Sequence, residues 1–254
     1  MSLMQADIRH IAQKRKVDLI FFCKAEGFRP AWMRELSKEF PTYYWFMDPP
    51  LTAKLMGAED LAMSCTYRSA TCEVLANKWK GAHIIEGFDP KVWRRIHCTQ
   101  LPAFRGGVCF VGSIDSHRQR VLGAIEVPDC QLTVYSGLDY ENVNLVYNVH
   151  RVALNIVRDP SIISDRLVQI LAAGAIPLTQ WSENLLRFGW PKPEECLGFW
   201  SNFSFITNEE MNAKLKMMLS SKNQKTYQKL LDTFPIMSYT WESQMRKALS
   251  SIGY

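Results

Sequence analysis

Residues 151–179, RVALNIVRDPSIISDRLVQILAAGAIPLT, carry the reading of the fold. VALNIV (152–157) is a short, apolar, β-branched run, the pattern of a strand buried on both faces. A loop follows, and Ser164 stands where a hydroxyl caps the first turn of a helix. DRLVQILAA (165–173) has helical apolar spacing, and Gly174 is the residue type that ends a helix in the left-handed region. AIPLT (175–179) is a second strand. Strand, helix and strand with short connections imply parallel pairing and a right-handed crossover. Ala172, Ala173 and Gly174 are small enough for the helix to sit close to the sheet.

The same alternation extends in both directions. Upstream, VCFVGS (108–113) reads as a strand, SHRQRVLGAIE (116–126) as a helix with Ser116 as N-cap, and QLTVYSG (131–137) as a strand and turn. Downstream, Thr207 and Glu210 have capping-box spacing ahead of a helix, and two further amphipathic helices are expected at 222–233 and 239–251. Towards the N-terminus, VDLIFFC (17–23) and TYYWFM (42–47) are strands around a helix at 30–40 that starts on Pro30. LAMSC (61–65) is read as a third strand, SATCEVLANKW (69–79) as a helix and AHIIE (82–86) as a fourth strand. The segment CTQLPAFRGG (98–107) breaks the pattern with Pro102, Gly106 and Gly107. The expected fold is therefore α/β, with two Rossmann-like lobes of parallel sheet flanked by helices: a compact lobe over 1–105, onto which the C-terminal helix can pack back, and a second over 106–254.

Composition agrees. The 254 residues are 47% hydrophobic and 22% charged, which rules out disorder and coiled coil, and no apolar run is long enough to span a bilayer. Seven cysteines without a CxxC pair point to reduced thiols and a cytoplasmic protein. Residues 1–105 carry 16 basic and 11 acidic side chains, and residues 106–254 carry 14 of each, so the net charge of +5 lies entirely in the first part. That placement suits a lobe that meets an anionic partner.

Three places can carry chemistry. Gly112 and Ser113 follow a buried strand and precede a helix whose first turns hold Arg118 and Arg120, so backbone N–H groups there can approach a phosphate. At the start of the 165–173 helix, Ser161, Ser164 and Arg166 bring hydroxyls, free N–H groups and a guanidinium to one helix N-terminus, an arrangement that suits a diphosphate. Asp48 ends the YYWFM strand before two prolines and is a candidate base or acceptor-orienting carboxylate; Lys24, Glu26 and Arg29 follow the first strand and can face the same side. The five histidines (His10, His83, His97, His117 and His150) have no ligand spacing, and there is no Asp-x-Asp pair, so no metal site is expected.

FVGSIDSHRQRVL, LNIVRDPSIISDRLVQILAAGAIPLT, ENLLRFGWPKPEECLGFWS and YTWESQMRKAL occur in that order and resemble the C-terminal part of the spore-maturation-protein-like glycosyltransferases, within the group 1 enzymes of the two-lobed GT-B fold. The resemblance covers residues 105–254 and extends more weakly to KAEGFRPAWMREL, YYWFMDPP and HIIEGFDPKVW. It implies that Gly112 and Ser113 face the donor diphosphate, that Ser161, Ser164 and Arg166 form the phosphate-side helix N-terminus, and that Asn155 is the end of the Leu-Asn strand. Gln169 stands where the family has the glutamate that grips the donor ribose, and Ser161 stands where its partner glutamate would be. Glutamine can still bond ribose hydroxyls but offers no charge-assisted bond.

The resemblance implies a metal-independent glycosyltransferase with no tightly bound cofactor. It would take a nucleotide-diphosphate sugar, a UDP-sugar by preference, as co-substrate, and move the sugar across a cleft between the lobes. The acceptor stays open between polysaccharide, protein, small molecule and a hydroxymethylated base in DNA. For a nucleic acid acceptor the candidate phosphate contacts are Lys14, Arg15, Lys16, Lys78, Lys80, Lys91, Arg94 and Arg95. The alternative is a non-catalytic protein of the same fold that binds a nucleotide, a nucleic acid or a protein. Another Rossmann-type enzyme is disfavoured by the lack of G-x-G-x-x-G with its acidic partner.

Overall fold

A computed structural model of the chain describes residues 3–96, 106–126, 132–186, 188 and 203–254. The chain divides into two compact units, Met1–Ile85 with Met245–Tyr254, and Glu86–Gln244. The expected boundary segment 98–105, His97 and the family-like stretch around Glu194–Glu195 lie outside the described residues.

The first unit opens with helix α1 (Leu3–Arg15), then runs β1 (Ile20–Cys23), α2 (Pro30–Glu39), β2 (Thr42–Phe46), α3 (Pro50–Met56), α4 (Ala58–Ser64), β3 (Tyr67–Ala70), α5 (Glu73–Lys78) and β4 (Ala82–His83). Its sheet is parallel, in the order β1-β2-β3-β4. β2 is buried along its whole length, and its side chains divide between two faces. Tyr44 and Phe46 pack against Trp79 on one face. Tyr43 and Trp45 cluster with Ile84 and with Ala248 on the other, and the Trp45 indole N–H donates to the Ile84 carbonyl. Ala248 belongs to helix α11 (Trp241–Ser250), so the C-terminal residues cover the first sheet.

Several elements here differ from the sequence reading: α1 and α3 have no counterpart in it, and β4 covers only Ala82–His83 of AHIIE. LAMSC is not the third strand: Leu61–Ser64 lie in α4, and β3 is Tyr67–Ala70. The buried residues Ala58, Leu61 and Ala62 have helical i, i+3, i+4 spacing, and Gly57 takes the left-handed conformation that ends α3 and starts α4. The following helix accordingly begins at Glu73, because Ser69 and Ala70 pair with β2.

The second unit contains β5 (Val108–Val111), α6 (Ser116–Gly123), β6 (Leu132–Tyr135), α7 (Tyr140–Val149), β7 (Val152–Asn155), α8 (Asp165–Ala173), β8 (Ile176–Gln180), β9 (Ser204–Phe205), α9 (Asn208–Leu219) and α10 (Gln224–Thr233), and it also takes the start of α11. Its parallel sheet has the order β6-β5-β7-β8-β9. The chain first steps from β5 to β6, then returns across β5 to β7 and continues outward. Right-handed crossovers in opposite directions place helices on opposite faces. α7 and α8 accordingly pack together, while α9 contacts β7 and β8 and ties to the end of α6 through Asn212 and the Ala124 carbonyl. β5, β7 and most of β8 are fully buried, as strands covered on both faces must be.

α8 keeps its expected ends: Ser164 accepts the Arg166 N–H, and Gly174 takes φ +80°. α9 keeps its capping box, with Thr207 accepting the Glu210 N–H and the Glu210 carboxylate accepting the Ile206 N–H. α6 is capped by Asp115 rather than Ser116, because the Asp115 carboxylate reaches the Arg118 N–H at 2.9 Å. α7 has no counterpart in the sequence reading. Its asparagines are poor helix formers, but Asn144 and Asn148 are buried and bond the backbone of Arg94 and Ile96. These bonds, with Phe88 paired to Tyr239 and Trp241, place residues 86–96 in the second unit. Among the described residues no helix is long and apolar enough to cross a membrane.

Candidate donor-binding site

In a parallel sheet whose strand order reverses, the loops that leave the carboxyl ends of the two strands at the reversal run to opposite faces and open a crevice. In the second unit those strands are β5 and β7. The loop after β5 holds Gly112 and Ser113; the loop after β7 runs from Ile156 to Ser164 and ends on the N-terminus of α8. The sequence candidates Gly112, Ser113, Arg118, Asn155, Ser161, Ser164, Arg166 and Gln169 thus lie on three pieces of chain, the turn from β5 into α6, the end of β7 with its loop, and the start of α8.

Gly112 has φ +142°, and a Cβ there would overlap the Arg166 guanidinium. The φ value calls for glycine, and the missing Cβ lets the tip of the Arg166 side chain sit directly against the β5 loop. Arg166 also lies 5.1 Å from the Phe110 ring centroid. Its Nη1 is buried without a partner, as is the Ser161 hydroxyl. Arg166 lies in the first turn of α8 and Ser161 in the loop just before it, where free N–H groups and the helix dipole favour negative charge. Asn155 is 1% exposed, and its Oδ1, an acceptor, also has no partner and calls for a donor rather than an anion. Its amide orientation is fixed, since Nδ2 donates to Thr179 Oγ1 at 2.9 Å and that hydroxyl donates to the Gln180 carbonyl.

Arg118 plays a different part from the one its position suggested. It is 5% exposed, its Nε donates to the Ile156 carbonyl at 3.2 Å and its Nη1 to the Ser113 carbonyl at 2.9 Å. It staples the loop after β5 to the loop after β7. Burial, with Arg166 and Arg158 nearby, pushes its pKa down to about 10, which leaves it charged at neutral pH. Arg158 is the residue that sequence reasoning passed over. Its Nε donates to Asp115 Oδ2 at 3.0 Å and its Nη2 donates to the Ser113 hydroxyl. The only sequence signal was its place just past a Leu-Asn strand end. Asp115 is held below the usual carboxylate range by the Arg118 backbone N–H and, next among the lowering influences, by Arg158. Gln169 donates to Asp165 Oδ2 at 3.0 Å, so its amide is already paired to a carboxylate. His117 lies beside the crevice and meets Gln180 at 3.1 Å.

In the first unit, Asp48 follows β2 and forms an ion pair with Lys24, Nζ to Oδ2 at 2.8 Å. Lys24 and Ala25 both have positive φ, +59° and +53°, which is rare for consecutive non-glycine residues. The bend is held from β2: the Lys24 N–H donates to the Trp45 carbonyl, and the Tyr44 hydroxyl donates to the Lys24 carbonyl. The Tyr44 phenol, whose pKa is raised mainly by burial, stays protonated for that bond. Of the candidate cations for nucleic acid, Lys78 pairs with Glu59 and Arg95 with Asp232. Lys91, Arg94 and Arg95 belong to the second unit. The charge split survives this regrouping: the first unit carries 14 basic and 9 acidic side chains, the second 16 of each. Among the described residues no group of three or more His, Cys, Asp or Glu side chains could hold a metal ion.

The fold with this crevice is that of the two-lobed GT-B glycosyltransferases. Particular solved structures that share it include Anabaena Alr3699/HepE in complex with UDP-glucose (TM-score 0.65, 14% identity, covering 98% of this chain and 82% of that one). A glycosyltransferase from Rickettsia africae ESF-5 gives 0.62 at 12% identity, over 97% and 79%. An alpha-glucosyltransferase in complex with UDP-glucose and DNA containing an abasic site gives 0.64 at 8% identity, over 98% and 83%. No protein-family model matches the chain, and no curated protein matches it in sequence.

Proposed function

We propose that the protein is a glycosyltransferase that takes a UDP-sugar in the crevice of its second unit and transfers the sugar to an acceptor hydroxyl. The observation that carries this is the buried, unpartnered pair Arg166 Nη1 and Ser161 Oγ at the N-terminus of α8. A diphosphate satisfies both, and solved structures of the same fold hold UDP or UDP-glucose. As the glycosidic bond to the donor breaks, negative charge grows on the β-phosphate. Arg166, the helix dipole and the Ser164 end of α8 stabilise that charge without reorganising. Asn155 Oδ1 is left as an acceptor for a donor hydroxyl or N–H, and Asp165 with Gln169 takes over the ribose side. Asp48, ion-paired with Lys24, serves as the base that accepts the acceptor's proton.

For the acceptor, two observations favour a hydroxymethylated base in DNA. The excess of +5 lies on the unit that carries Asp48, and one structure of this fold is an alpha-glucosyltransferase in complex with UDP and a 13-mer DNA containing an HMU base. The four described cysteines that are free thiols, Cys23, Cys65, Cys72 and Cys109, suit a cytoplasmic setting.

Calorimetry with UDP and UDP-glucose tests the donor site. UDP should bind, and Arg166→Ala should weaken it by about tenfold or more. No binding, or an indifferent Arg166→Ala, would remove the assignment. Release of UDP from UDP-glucose separates an enzyme from a binding protein of the same fold. Gel shifts on hydroxymethylated DNA over a salt series test the acceptor: an affinity that ignores ionic strength excludes nucleic acid.

A further inference from the structure

Ser113 is gripped at two atoms by two arginines. Its carbonyl accepts from Arg118 Nη1 at 2.9 Å, and its hydroxyl accepts from Arg158 Nη2. A guanidinium has donors only, so the second bond can run in one direction. The hydroxyl oxygen therefore accepts a hydrogen bond from Arg158 and keeps its own O–H to donate. Arg158 is itself fixed, because its Nε donates to Asp115 Oδ2 at 3.0 Å while Asp115 Oδ1 accepts the Arg118 N–H at 2.9 Å. One carboxylate thus anchors both the start of α6 and the arginine, across 43 residues of chain.

We propose that Arg158 is a positioning residue that turns the Ser113 hydroxyl into an oriented, polarised donor for the donor diphosphate, acting through Ser113 rather than on the phosphate itself. The inference rests on the donor site proposed above and adds a residue to it. Its physical content is that the Nε and Nη2 donors are already engaged by Asp115 and Ser113, and that a hydroxyl accepting from a cation is a stronger donor than a free one. The cation's charge reaches the ligand by way of the Ser113 proton.

The test is UDP binding by calorimetry to the full chain, in wild type, Ser113→Ala, Arg158→Gln and the double variant, with uridine as the probe that lacks phosphate. Thermal unfolding of each variant confirms that it folds; Arg158 is exposed, and Ser113→Thr supplies a second variant that keeps the hydroxyl. Each single loss should weaken UDP by about tenfold, the double variant should fall no more than about twofold further, uridine should be unaffected, and Ser113→Thr should restore most of the affinity. Losses that multiply to about a hundredfold mean that Arg158 binds phosphate independently, and they overturn the proposal. So does an Arg158→Gln that leaves UDP unchanged, or one that weakens uridine equally. Wild type that binds no UDP brings down the donor reading instead. The same variants titrated with inorganic pyrophosphate must then show the same non-additivity for the positioning role to stand.

Discussion

The two units are built from the same parts and differ in one topological respect. Both sheets are parallel, but the first runs in strict sequence order while the second reverses between β5 and β7. In the first unit every crossover steps the same way, so right-handedness puts α2 to α5 on one face and leaves the other to be covered by the C-terminal residues around Ala248. In the second unit the reversal sends helices to both faces and parts the loops at β5 and β7. Buried polar atoms without a partner occur in both units; in the second, those of Arg166, Ser161 and Asn155 lie around the reversal point. At the ends of the first sheet, Asp48 and Lys24 already satisfy each other. The donor site we propose lies at the reversal in the second unit, whereas the Asp48–Lys24 ion pair follows β2 in the first.

That contrast can be broken at four points. The largest effect is expected from Ala248→Asp, which puts a charge where the side chain is 2% exposed against Tyr43 and Trp45. It should cost about 3 kcal/mol or more and appear as an early denaturant transition in tryptophan fluorescence, with UDP binding retained. Loss of UDP binding at the same denaturant concentration would deny the units separate stability. Next, Asp48→Asn should slow sugar transfer by about a hundredfold and leave UDP affinity unchanged; a parallel fall in affinity would move Asp48 out of the acceptor role. Third, Gly112→Ala meets both a forbidden φ and the Arg166 side chain, so it should cost about 1–3 kcal/mol and weaken UDP. Gly57→Ala, at φ +64° in open space, should cost about 1 kcal/mol and leave UDP alone. The smallest effect concerns Asp115. Its folded pKa is lowered, so its stabilisation is present above the unfolded carboxylate value and is lost as pH falls through the lower folded one. Urea titrations from pH 7 to 3 should show wild type and Asp115→Asn converging at the acid end, since Asn caps a helix equally well without the charge.

Much of the second unit was legible from residues 151–179 because its signals are local. Ser164 and Gly174 mark α8 through bonds within a turn of themselves, and an apolar β-branched run reads as a buried parallel strand wherever it pairs. The errors lie where partners are distant. LAMSC has strand-like composition, and its helical spacing shows only once Ala58 and Leu61 are seen buried together. The asparagines of α7 argue against a helix until Asn144 and Asn148 are found bonding the backbone of residues 94 and 96. Among the candidate site residues, Gly112, Ser161, Ser164 and Arg166 were legible from local type and position. Arg158 does not, because its partners Ser113 and Asp115 lie 45 and 43 residues earlier.

By itself, the sequence determined the α/β alternation, the ends of α8 and α9, the hydroxyls and guanidinium at the head of α8, and the placement of the whole charge excess. Each depends on contacts within about four residues or on composition alone. Only the tertiary structure decided the strand order. With it came the crevice at β5 and β7, the change of Arg118 from ligand candidate to loop staple, and the Asp115–Arg158–Ser113 chain. Those features need groups far apart in sequence to meet, and no local pattern encodes which parallel strand will lie beside which.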